Sequence, residues 1–276
     1  MLRTPGLFNS MTNSLSISII TKNEQANIRR TLESVGWADE IVVVDSGSID
    51  DTVSICREYT PNAYAQDWLG FAKQKNFAID KTTKDWVLSL DADEPIEPAL
   101  AEEIRRIISS PDAFDGYLIP RKTYFLGKWI KHGGWYPDFN LRLFRRGKGR
   151  FQERAVHEAI QVHGTIGRTV HAIEHHAYPD LASYMSSINR YSSLAVEVMS
   201  SRGITTWASS WVNILFRPLL TFFLKYFLRF GFLDGKHGLI LNLFHSYYVF
   251  AKYGKAWEYR QKSIAPKARP ERDGDI

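Results

Sequence analysis

Asp85-Trp86-Val87-Leu88-Ser89-Leu90-Asp91-Ala92-Asp93-Glu94 reads as a buried strand that ends on carboxylates. The apolar run is short and free of glycine and proline, and two acids stand two residues apart where it stops, as expected of a parallel strand opening into a ligand crevice. On an extended backbone, residues i and i+2 point the same way. Asp91 and Asp93 are therefore expected to share one oxygen-seeking divalent cation, Mg²⁺ or Mn²⁺, which also bridges diphosphate oxygens. Ala92 between them would leave the backbone open to approach. The competing reading is a polar turn capping a helix that starts near Pro95 or Pro98, where acidic side chains suit the helix N-terminus.

The sequence upstream favours the crevice. Leu15 to Thr21 and Glu40 to Asp45 are short β-branched runs separated by Asn27 to Val35, which suits an amphipathic helix, so a β-α-β unit is predicted. The loop Asp45-Ser46-Gly47-Ser48-Ile49-Asp50-Asp51-Thr52 both turns the chain and caps a further helix over Asp51 to Tyr59. The fold class is α/β, a Rossmann-like, mostly parallel sheet flanked by helices. In such sheets ligands bind beyond the carboxyl ends of the strands. Thr21, Asn23 and Glu24, then Asp45, then Asp91, Ala92 and Asp93 all stand at predicted strand ends, so one crevice gathers them.

Ser18-Ile19-Ile20-Thr21-Lys22-Asn23-Glu24, Val43-Val44-Asp45-Ser46-Gly47-Ser48-Ile49-Asp50-Asp51-Thr52 and Leu90-Asp91-Ala92-Asp93-Glu94 together resemble, in order and spacing, family 2 glycosyltransferases with the GT-A fold. Within that family the likeness is greatest to the bacterial lipopolysaccharide core β-glucosyltransferase group, through Gln74-Lys75-Asn76, residues 85–94 and Val156-His157-Glu158. The resemblance covers roughly residues 15–200. It implies inverting transfer of a hexose from a nucleotide sugar, UDP-glucose above others, to a lipid-linked saccharide such as a lipopolysaccharide inner core. By the same resemblance Asp45 approaches the base or ribose, Asp91 contacts ribose and metal, and Asp93 ligates the metal. His175 adds a metal or phosphate contact. Where many relatives carry two consecutive acids, this chain has Asp45-Ser46, which alters the expected contact to uracil. Lys75 and Asn76 are expected to reach the diphosphate or base, or else to lie on a solvated helix face.

Inversion requires a base for the acceptor hydroxyl. The resemblance puts Glu158 first, with His157 orienting it, and Asp138 beside the aromatic loop Gly133-Gly134-Trp135-Tyr136-Pro137 is the alternative. Trp135 and Tyr136 offer flat faces to pyranose rings, and Arg142, Arg145 and Arg146 either recognise an anionic acceptor or solubilise an edge strand. His171, His175 and His176 invite a zinc reading, but Thr169 to His176 alternates like a strand and divides them between faces.

The chain has 276 residues, 44% of them hydrophobic, enough for a sizeable core. Its single cysteine, Cys56, excludes an intramolecular disulfide and reads as a small buried hydrophobe. Residues 1–14 form a leader too polar for a signal peptide. From Arg217 through Arg272 eleven Lys or Arg stand against three Asp or Glu, so the tail exceeds the +5 of the whole chain. Residues 201–264, dense in Trp, Phe, Tyr and Leu, hold no uncharged stretch of the ~20 residues a spanning helix needs. They are expected to form amphipathic helices in a membrane interface, with Lys225 and Arg229 at the headgroups, or to pack on the catalytic domain or on a second subunit with the charges facing water. Residues 265–276 read as a disordered tail. The expected location is the cytoplasmic face of the inner membrane, peripherally bound. A nucleotidyltransferase would carry a glycine-rich loop after the first strand, where Thr21-Lys22-Asn23-Glu24-Gln25-Ala26 stands instead. Nucleic acid binding is excluded because the basic residues are interleaved with aliphatic ones. Another acceptor (a polysaccharide, lipid carrier or protein) and a non-catalytic nucleotide-sugar-binding scaffold are the remaining alternatives.

Overall fold

The computed structural model describes residues 13–152 and 159–264, in two compact units that divide between Pro179 and Asp180. The first unit runs β1 (Leu15–Thr21), α1 (Ile28–Ser34), β2 (Glu40–Asp45), α2 (Thr52–Tyr59), β3 (Ala63–Ala65), α3 (Phe71–Asp80), β4 (Trp86–Asp91) and α4 (Pro98–Ser109). It continues with β5 (Gly116–Phe125), β6 (Lys128–Trp129), β7 (Asp138–Arg145), β8 (Gly149–Gln152), β9 (Ala159–Val162), β10 (Ile166–Arg168) and β11 (Ile173–Tyr178).

The main sheet has the order β10-β5-β7-β4-β1-β2-β3, with β11 also on β5 and β6 hairpinned to it; β8 and β9 pair separately. From β3 to β4 the strands are parallel, and β7 then enters antiparallel between β4 and β5. Strand alternation explains why both faces are covered. Ile17, Ile19, Ile41 and Val43 point to the layer of α1, α2 and α4, where Ile28, Leu32, Ile55, Leu100 and Ile104 meet them. Val42 and Val44 point the other way, onto Ala78 of α3. Cys56 belongs to the first layer at 1% exposure, as a small hydrophobe would.

Two features place the crevice. Thr21 lies opposite Asp45, and Ile20 opposite Asp91, so β1, β2 and β4 end level. The chain leaves β1 toward β2 on one side and returns as β4 on the other, which makes the β1/β4 boundary the topological switch point of the parallel half.

The second unit contains α5 (Leu181–Ser201), α6 (Thr205–Ala208), α7 (Trp211–Phe223) and α8 (Gly235–Ile264). A π-helical turn, Leu224–Leu228, and a 3₁₀ turn, Gly231–Asp234, join the last two. Composition suggested a division near residue 200. It falls instead before α5, because Val196 and Met199 of α5 pack with Val249, Tyr253 and Ala256 of α8.

Candidate active site at the switch point

The segment Asp91–Glu94 is not extended. Glu94 N donates to Asp91 O at 3.1 Å, closing a turn, and Thr31 Oγ1 holds that turn by donating to Ala92 O at 2.7 Å. The two aspartates therefore stand in a turn and not on one face of an extended strand. Ala92 is buried and its carbonyl is engaged, so it does not open the backbone to a ligand.

Asp91 is held between two cations. Lys75 Nζ of α3 lies 2.7 Å from its Oδ1, and Arg142 Nη2 of β7 lies 2.9 Å from its Oδ2. The antiparallel register explains the second contact, because Leu143 lies opposite Leu88 and Arg142 is one step nearer the end of β4. Arg142 also donates to Glu94 Oε1 at 2.7 Å, and Glu94 Oε2 accepts from Asp91 N at 3.0 Å. Burial alone would push Asp91 up, but Lys75 and Arg142 outweigh it and hold its carboxyl well below the usual range. Glu94, completely buried, goes the other way: desolvation, with Asp91 and Asp93 nearby, raises it despite Arg142. Both Asp91 oxygens are occupied by protein cations, and Arg142, expected on an acceptor, is spent on the network. Arg145 stacks over Trp86, and Arg146 donates to Lys84 O.

Asp93 faces a different partner. His175 Nδ1 of β11 lies 3.3 Å from Asp93 Oδ2, yet this buried nitrogen makes no hydrogen bond of acceptable angle. His176 Nε2 contacts Glu174 Oε2 at 2.9 Å and its ring stacks on Tyr124, while His171 Nδ1 lies 2.8 Å from Glu103. Strand alternation separates His175 from His176, while His171 precedes β11. Glu24 joins the acidic side: burial raises its carboxyl, Asn27 opposes this, and Asp93, Asp50 and Asp91 raise it further.

Asn23 and Asp45 serve to sew two loops together. Asp45 accepts from Gly47 N and Ser48 N at 2.9 Å and from Ser48 Oγ; Asn23 N donates to Ser48 Oγ, and Ile49 N donates to Asn23 Oδ1. Thr21 is buried with its hydroxyl unpartnered. Asn76 does not enter the crevice, since its amide pairs in both directions with the backbone of Phe151 at 2.9 Å. Asp138 lies at the start of β7, where Arg121 Nε and Nη2 donate to its Oδ2 at 3.1 and 2.7 Å. Arg121 Nη1 also approaches Glu94 at 3.8 Å. Glu158 and His157 lie outside the described residues. Sequence reading missed Glu94 and Arg121 as network members; the only signal was the place of Glu94 at the end of the strand-turn motif, and Arg121 on a distant strand carried none.

Among the described residues, no three His, Cys, Asp or Glu side chains converge as a complete metal cage. Asp93 and His175 could supply two ligands to a divalent ion, since the buried ring nitrogen of His175 has no hydrogen bond and lies beside a carboxylate.

The family model described as glycosyl transferase family 2 matches residues 16–175. The chain is 30% identical to the lipopolysaccharide core biosynthesis glycosyltransferase LpsC of Rhizobium meliloti (strain 1021), over 94% of this chain and 96% of that one. It is 28% identical to an uncharacterized glycosyltransferase of Rickettsia conorii, over 94% of each. Among solved structures, S. aureus TarS 1-349 in complex with UDP-GlcNAc aligns over 90% of this chain and 92% of that one, at 18% identity and a TM-score of 0.46.

Proposed function

We propose, from the premise that this chain belongs to glycosyl transferase family 2, that it moves a hexose from a uridine diphosphate sugar, UDP-glucose above others, to a lipid-linked saccharide of the lipopolysaccharide core. The chain is a glycosyltransferase. The acceptor reading rests on the likeness to the lipopolysaccharide core biosynthesis glycosyltransferase of Rhizobium meliloti, which matches nearly end to end. The observation that carries the donor reading is the placement of Asp93 and His175 beside an ion-paired strand end at the switch point.

Asp93 and His175 would hold Mg²⁺ or Mn²⁺, which when bound would offset negative charge on the departing diphosphate. Asp91, kept ionised by Lys75 and Arg142, is suited to accept hydrogen bonds from ribose hydroxyls through what remains accessible of its carboxylate, 28% of the side chain. Lys75 supplies a cation at the phosphate side. Glu158, or else Asp138, takes the acceptor proton; the two Arg121 bonds to Asp138 converge on one oxygen, and 41% of that side chain remains exposed. Asn23 and Asp45 shape the nucleotide-side loop, while Asn76 braces the wall opposite. The catalytic unit that ends at Pro179 and the helical unit that begins at Asp180, the latter at the cytoplasmic membrane surface, complete the proposed organisation.

The test is sugar transfer and donor hydrolysis by the purified chain with Mn²⁺ or with chelator, alongside calorimetric UDP binding. Binding and turnover should both require the ion, and Asp93→Ala should abolish that requirement together with activity. Full turnover in chelator by both proteins would remove the metal reading.

A further inference from the structure

The second unit carries a helical hairpin whose polarity is inverted. α7 continues through the π-turn as one helical segment, Trp211–Leu228, eighteen residues long and apolar enough to cross a membrane, with only 11% of it buried. Leu215, Phe216, Leu219, Leu220 and Phe223 are each at least half exposed, and at ~100° per residue they spread over an arc of about 140°. On α8, Leu243, Tyr247 and Phe250 extend the apolar outside. The polar groups face inward. Asn242 is 1% exposed and Asn213 5%; Asn242 Nδ2 donates to Gly238 O, and Ser246 Oγ donates to Pro218 O across the hairpin. The two helices meet at their turn through glycines: a Cβ on Gly238 would fall 2.0 Å from Gly231 O.

A water-facing hairpin would put its asparagines outside and its leucines inside. A protein partner would cover one face, whereas here apolar side chains wrap around more than one. Cations mark the two ends, and the one between them on this segment, Lys225, is half-buried. Arg217 bonds to Asn213 Oδ1 and stacks over Trp207 and Tyr253, with Lys252 over the same Tyr253, while Arg229 and Lys236 flank the turn. About twelve residues of α7 and sixteen of α8 separate these collars, roughly 18 to 24 Å at 1.5 Å per residue, and long cationic side chains that reach outward bring this close to a hydrocarbon core of ~30 Å.

We propose that the α7–α8 hairpin is embedded in lipid hydrocarbon, with its Arg217/Lys252 and Arg229/Lys236 collars at headgroup depth and Leu220, Phe223 and Leu243 deepest. This rests on the membrane-surface reading above and changes it from a helix lying among headgroups to a hairpin within the chains. The sequence expectation missed it because it required a stretch without charge, and Arg217 is satisfied inside the hairpin.

The test uses the full chain with phosphatidylcholine vesicles. Cys56 is the sole native thiol and is 1% exposed, so single cysteines at Leu220, Leu243 and Trp211, and at Ile49 of the first unit as a control, can be labelled with an environment-sensitive fluorophore. Brominated lipids should quench Leu220 and Leu243 labels best when bromine sits deep in the chains, and the Trp211 label best when it sits shallow; the Ile49 label should not respond. Binding should survive 1 M NaCl, and Leu220→Lys should weaken partitioning about 100-fold, the equivalent of ~3 kcal/mol. Shallow quenching at every hairpin position, with release by salt from anionic vesicles, would overturn embedding and leave surface binding standing. Failure to bind any vesicle, with a concentration-dependent dimer instead, would overturn both.

Discussion

The switch-point network and the α7–α8 hairpin both bury polar groups, and they differ in what surrounds them. In the first unit the ion pairs of Asp91, Glu94, Lys75 and Arg142 sit at the end of a sheet whose middle is mostly apolar, with Ile17 and Ile19 at 0% exposure and small serines, Ser16, Ser18 and Ser89, buried beside them. In the hairpin the order is reversed, with Asn242 at 1% and Leu219 at 60%. Burial by itself therefore says little. A buried cation-carboxylate network beside a strand-end crevice is a device for holding charge against a ligand, whereas buried amides beneath exposed leucines describe a surface matched to an apolar solvent.

The largest expected effect separates the ligand side of the network from its scaffold. Asp93→Ala should lower turnover by about 1,000-fold, roughly 4 kcal/mol of transition-state stabilisation, while urea unfolding stays nearly unchanged. Asp91→Asn should do the reverse to stability. Breaking a buried pair strands the partners, so the loss should be about 3 kcal/mol in a urea midpoint series, because Lys75 and Arg142 then face Glu94 alone. Equal stability losses in the two variants would erase the distinction between ligand holder and brace.

A pair of apolar truncations tests the two regions directly. Ile19→Ala in β1 should cost about 3 kcal/mol by leaving a cavity in the first unit, whereas Leu219→Ser on the outside of α7 should change unfolding in aqueous buffer by less than ~0.5 kcal/mol. A large penalty for Leu219→Ser without lipid would mean that its face is already covered.

Acid sharpens the picture of the network. The folded-state carboxyl of Asp91 is depressed, so the stability contributed by its ionised form is present above the ordinary aspartate value of about 4 and is lost as pH falls through the lower folded value. Glu94 is raised and has the opposite sign: its contribution is full below about 4.3 and is lost as pH rises toward the folded value. The stability gap between the wild-type chain and Asp91→Asn should therefore be widest near neutrality and narrow below about pH 4, as read from chemical unfolding at stepped pH.

Much of this arrangement is legible along the chain, and the rest depends on pairings that no linear stretch contains. Strands β1, β2 and β4 and their level ends follow from alternation and length, and with them the neighbourhood of Thr21, Asp45 and Asp91. The separation of Asp91 from Asp93 does not, since it depends on a turn fixed by Thr31 from another helix. Nor does Arg142 announce its role: only the antiparallel entry of β7 beside β4 brings it to Asp91, and in sequence it looks like one of three basic residues on a strand. The hairpin is hidden for the same reason. Asn213, Asn242 and Ser246 make the tail look too polar for lipid until α7 and α8 are paired and these groups turn toward one another.

A milder loss than those at Asp91 and Ile19 tests whether the two regions behave as separate folding units. Asp180, the first residue of the second unit, caps α5: its Oδ1 accepts from Ser183 N at 2.7 Å and from Ser183 Oγ at 2.8 Å. Asp180→Ala should cost about 1 kcal/mol, the usual worth of such a cap, and the loss belongs to α5 and the helices packed with it. Hydrogen exchange should then accelerate along α5 and the facing part of α8 while amides of β1 and β4 keep their protection. Equal acceleration in β4 would mean that both units unfold in one cooperative step, and the contrast between network and hairpin would then describe two surfaces of a single folding unit.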